Sequence, residues 1–120
     1  MKKIKVFNSS KEIFVLQEVE VADSFWYRFK GLMGRAFLEE GKGMLIIPCS
    51  HVHTLGMKFS LDIAFLDSNN RVCHLLTGVP AGKLFLGSRY AASVLEAAAG
   101  SFAGQKLEQG DHLEFEEVLC

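Results

Sequence analysis

The sequence has no apolar run near the roughly 20 residues a helix needs to cross a bilayer. It has no basic block either. Its 13 Lys and Arg are spread among 14 Asp and Glu, for a net charge of −1. A nucleic-acid partner is therefore not expected. Cysteine is scarce. Cys49, Cys73 and Cys120 are odd in number and lack CxxC spacing, so they read as reduced thiols. The Walker loop, GxGxxG, HExxH and GxSxG are all missing. There is no repeat, low-complexity tract or linker. The basic start, Met1 to Phe7, runs into polar Asn8 to Glu12, which leaves no signal-peptide core. A cytoplasmic location without membrane insertion is the expectation.

Apolar residues make up 49% of the chain, enough to exclude disorder. Residues 1–120 are expected to form one domain that buries roughly two thirds of its unfolded surface. Ile4–Phe7 and Ile13–Val21 flank the turn residues Asn8, Ser9 and Ser10 and predict a hairpin. Asp23 or Ser24 can cap a short helix over Phe25–Lys30, which Gly31 stops. Met44–Ile47 reads as a short buried strand ended by Pro48. Asp67–Asn70 is turn chemistry between Ile63–Phe65 and Val72–Leu76, a second hairpin. Tyr90–Ala99 is ambiguous, since its alanines favour helix while Val94–Ala97 suits a strand. A helical turn near Ser101–Leu107 precedes a last alternating strand, His112–Val118. The fold class is mostly β: a compact antiparallel β-sandwich or barrel with one or two short helices.

The candidate chemistry centres on Pro48–Asp67. Cys49, His51 and His53 share a face if that stretch is extended. His-x-His can grip a transition metal, with Asp62, Asp67 or His74 as a further ligand. Histidines that hydrogen-bond at a sheet end are the preferred reading. At a rise of about 3.3 Å per residue, positions i and i+4 reach one ion only across a bend, and Lys58 opposes a cation. No metal and no cofactor are expected. Lys58 and Asp62 suit an ion pair, or proton transfer by a lysine of lowered pKa. Cys49 or Cys73 beside a histidine would be a nucleophile only in an activating geometry. Arg28 stands among Phe25, Trp26 and Phe29, where it could bind an anion or pair with Glu96. Phe25, Trp26, Met33 and Met57 are expected in the core or a pocket wall.

Several of these blocks, in order from about Val21 to Phe115, resemble a known family. They are Arg28–Arg35, Gly43–Pro48, His53–Asp67, Val94–Gly100 and Gly110–Asp111. The family is the one called domain of unknown function 192. The resemblance implies a small β-rich sandwich or barrel, no established activity, and a strand over Val94–Ala98. It carries over Arg28, His53, Thr54, Asp62 and Glu96 as motif residues of unknown role. Two departures stand out. Many members have Trp-Met-Lys-Asn-Thr where this chain has His53–Met57. The family's Trp-Arg after the loop proline is replaced by Ala81-Gly82-Lys83.

The leading expectation is a binding module for a small polar ligand or peptide. Its cleft would lie near residues 51–62 and be lined by Arg28, His51, His53, Thr54, Lys58, Asp62 and Glu96. Arg28, His53, Asp62 and Glu96 are expected to converge there, because charged groups beside apolar runs must be paired or face a cleft. The alternative is a small hydrolase or isomerase with His53 and Asp62 as acid and base; otherwise no catalytic residue is assigned.

Overall fold

A computed structural model describes residues 1–118. The fold is mostly β, as the strand periodicity predicts. β1 (Lys3–Asn8) and β2 (Ile13–Ala22) form the first hairpin. After α1 (Phe25–Lys30), β3 (Lys42–Ile46) returns parallel to β2. The two-residue β4 (His51–Val52) follows, then β5 (Leu61–Leu66) and β6 (Val72–Val79), the second hairpin. Short β7 (Leu86–Gly87) pairs with β4. β8 (Ser93–Ala98), α2 (Ser101–Gly104) and β9 (Leu113–Glu117) complete the chain.

Seven strands make one sheet in the order β6-β5-β8-β3-β2-β1-β9. Its two edge strands meet at one end. Arg71 and His112 form a bridge, the Val72 N–H donates to the Asp111 carbonyl at 2.9 Å, and the Leu113 N–H donates to the Asn70 carbonyl at 2.9 Å. The sheet thus curls until its first and last strands touch, which puts the fold on the barrel side of the two expected architectures. The ambiguous stretch is strand β8, at the sheet centre between β5 and β3. There the need to pair two neighbouring edges outweighs the helix propensity of alanine.

The core has two parts. One face gathers Ile4, Val19, Leu66, Leu95 and Leu113 from across the sheet, with Phe102 of α2 as a plug. Only the concave side of a curled sheet brings such distant strands together. The other face carries Met44, Ile46, Leu61, Ile63, Phe65 and Val94, covered by Leu32, Leu38, Val52 and Met57. Every residue of β5 is buried, because both faces of that strand are covered.

α1 begins where expected, with Ser24 Oγ accepting from the Tyr27 N–H, and ends at Gly31 in positive φ (51°). It buries none of its residues. Trp26, expected in the core or a pocket wall, is 61% exposed and stacks on Phe29. Four of the six residues of α1 are aromatic, more than one packed face can take, so some of its rings face solvent.

Candidate functional site

The covered face of the sheet is incompletely covered. Between α1, the 31–33 turn and the 48–57 stretch lies a cleft of about 350 Å³. Phe25, Phe29, Met33, Val52, Leu55 and Met57 supply apolar walls. Arg28, Lys30, Cys49, His51 and His53 add polar groups, and Glu96 of β8 lies at its base.

Glu96 is the unusual member. It is 3% exposed, and its neighbours on the same face of β8 and β5 are Val94 and Ile63. Burial pushes its carboxyl up to about 7, with no partner to offset the desolvation. Among the described residues no cation lies within ion-pair distance of it. The pairing with Arg28 considered above is therefore not made. Arg28 instead donates from Nη1 to the Pro48 carbonyl (3.1 Å) and from Nε to the Ser24 carbonyl (3.4 Å), bracing α1 against the cleft wall. Cys49 is half-buried, and its Sγ donates to the His51 carbonyl at 3.2 Å. Burial raises the Cys49 thiol pKa, the His51 hydrogen bond and the Arg28 charge oppose this, and Glu96 adds to it. A thiol held protonated is a poor nucleophile.

His51 Nδ1 is 2.9 Å from Ser50 Oγ, while His53 Nδ1 accepts the Leu55 N–H at 3.1 Å. These are local turn bonds of the kind expected from histidines at a sheet end. β4 is too short to align Cys49, His51 and His53 as a metal face. Among the described residues no group of three or more His, Cys, Asp or Glu is placed to hold a metal ion.

Four of the seven expected site residues line the cleft: Arg28, His51, His53 and Glu96. The other three are elsewhere, so the expected convergence fails at Asp62. Ala97 stands opposite Asp62 and Ile63 opposite Glu96, so alternation along the strands sends the two carboxylates to opposite faces. Asp62 is fully buried. It accepts backbone N–H groups from Gly78 (2.9 Å), Gly100 (2.9 Å) and Phe102 (3.0 Å), tying the end of β6 and the start of α2 to β5. The expected Lys58–Asp62 pair is absent and Lys58 is exposed. An acid–base pair of His53 and Asp62 is ruled out by the same placement. Thr54 is buried and structural as well: its hydroxyl donates to the Pro80 carbonyl (2.8 Å) and accepts the Lys83 N–H (2.9 Å).

The sequence reading missed the cleft role of Lys30 and the isolation of Glu96. For Glu96 a signal was present. A lone acid inside Val94-Leu95-Glu96-Ala97, once that run is a central strand, has to be buried.

A curled seven-stranded sheet with two short helices defines a small, mostly β protein. Comparison with known proteins gives the family. The chain belongs to DUF192, described as an uncharacterized ACR family, whose profile matches residues 5–115. A UPF0127 protein of Pyrococcus furiosus is 32% identical over 114 residues, covering 91% of this chain and 94% of the relative. A UPF0127 protein of Pyrococcus horikoshii is 31% identical, with 92% and 97% covered. A protein of Sinorhizobium meliloti, described as a "putative transcription regulator", has a crystal structure that superposes with a TM-score of 0.81. It is 26% identical, with 95% of this chain and 92% of that chain covered. A Novosphingobium aromaticivorans protein of unknown function shares the fold at a TM-score of 0.79 and 24% identity, with 93% and 83% covered.

Proposed function

We propose that this protein is a binding module, one cytoplasmic domain over residues 1–120, that holds a small polar ligand or a short peptide in the cleft beside His51 and His53. The observation that carries this reading is Glu96: a largely buried carboxyl at the base of an apolar-walled cleft, its oxygens open to the cleft and without a partner among the described residues. Buried polar groups are normally hydrogen-bonded, and an exception calls for an explanation. A ligand that supplies the missing donors is one. The size falls within the range of small-molecule sites, roughly 300–1,000 Å³. Cys49 and Cys73 are free thiols, which accords with a reducing compartment.

A library of small polar molecules and short peptides, screened by thermal shift, tests the reading. A true ligand raises the midpoint dose-dependently, by about 2.7 kcal/mol of stability at a hundredfold excess over Kd. Amide chemical-shift changes should then cluster at Arg28, Met33, Val52 and Glu96. Stabilising compounds whose shifts map to another face, or a library without hits, would overturn it.

A further inference from the structure

We propose that the cleft takes an amino-acid-like zwitterion with an apolar side chain, its ammonium turned inward to Glu96 and its carboxylate outward to Arg28. The inference rests on the cleft being a ligand site and goes further in naming what fills it.

The charge layout is the first ground. Among the described residues Glu96 is the one acid lining the cleft, while Arg28 and Lys30 stand on its wall. The two segments that build that wall, 24–35 and 48–60, contain no Asp or Glu at all. A purely cationic ligand would be drawn to Glu96 but repelled by these walls. A purely anionic one would suit Arg28 but meet a buried carboxyl. A molecule carrying both charges satisfies both.

Unused bonding capacity is the second ground. The Glu96 carboxyl has no hydrogen-bond partner among the described residues, although the side chain is nine-tenths buried and faces the cleft. A primary ammonium brings three donors and a compensating charge. Arg28 commits Nε and Nη1 to backbone carbonyls, which fixes the guanidinium plane and leaves Nη2 without a protein partner among the described residues. Cys49 lines the same cleft, and its thiol feels the charge of both Glu96 and Arg28. The acid and the cation that would hold the two charges of an amino acid thus face one cleft. Phe29, Met33, Leu55 and Met57 remain for the apolar side chain.

Isothermal titration calorimetry on the full chain tests this with three matched probes. L-Phenylalanine carries both charges, 2-phenylethylamine lacks the carboxylate, and 3-phenylpropionate lacks the amine. Phenylalanine should bind at least tenfold more tightly than either half. Glu96→Gln, a near-isosteric change, should abolish its advantage over 3-phenylpropionate, whose own binding should not weaken. Arg28→Gln should abolish its advantage over 2-phenylethylamine. Equal binding of phenylalanine and 3-phenylpropionate, or an amine preference that survives Glu96→Gln, would overturn the inference. So would no binding by all three. In that case library compounds that still map to the cleft would leave the binding-module reading standing, and an empty map would remove both.

Discussion

Replacing Glu96 with glutamine should stabilise the protein at neutral and higher pH and change little in mild acid. The Glu96 carboxyl is buried without a partner among the described residues, and desolvation raises its pKa from 4.5 to about 7. The folded chain therefore holds this proton more tightly than the unfolded chain does. The stability tied to the neutral carboxyl is complete below pH 4.5, declines as the pH rises through the window, and is lost above about 7. At roughly 1.4 kcal/mol per pH unit, the loss is on the order of 3 kcal/mol. Glutamine keeps the shape and the neutral state at every pH. Urea unfolding of both proteins between pH 4.5 and 8.5 reads the difference, and the other carboxylates cancel in the comparison. The curves should coincide at the acid end. At pH 8 the variant should have the higher midpoint, by about 1.5 M urea for a slope near 2 kcal/mol/M. Midpoints that stay parallel across the window, or a variant less stable at pH 8, would show that the carboxylate is solvated or paired and refute the reasoning.

Asp62→Asn should behave in the opposite way, costing about 3 kcal/mol at pH 7, because an amide cannot accept three backbone N–H groups as a carboxylate does. A urea midpoint within 0.5 kcal/mol of wild type, worked with the same slope, would contradict the tethering role. Elemental analysis of untagged protein should find no stoichiometric zinc, and the His51→Ala/His53→Ala double variant should match the wild-type melting midpoint with and without chelator. About one equivalent of zinc, lost in the double variant, would reverse this expectation.

The parts of the fold legible in the sequence are those whose signal is local. Both hairpins follow from alternation around a polar turn, and α1 from a serine cap and a glycine stop. The strand at Val94–Ala98 is less legible, since its alanines point elsewhere and its identity comes from the two strands that flank it. Register is not legible at all. Asp62 and Glu96 would share a face if the pairing of β5 with β8 slipped by one residue, and no local pattern sets that parity. The same limit applies to Thr54. A threonine in a histidine-rich motif looks like a ligand group, but its partners at Pro80 and Lys83 are more than twenty-five residues away in sequence. Glu96 was visible as a charge in an apolar run. That it has no partner is a property of the assembled face.

The position of β8 bears on how the protein is made. Synthesis delivers β3 and β5 well before β8, yet neither pairs with the other; each waits for the strand that will lie between them. Before β8 is made, the sheet exists only as β6-β5 on one side and β3-β2-β1 on the other, each with an unpaired backbone edge, since β9 follows β8 in the chain. A growing chain therefore carries two unjoined half-sheets past residue 92, and the segment that joins them is the one that brings Glu96. Joining of the two half-sheets and completion of the cleft floor are a single event, so no chain that stops short of β8 presents the cleft in finished form.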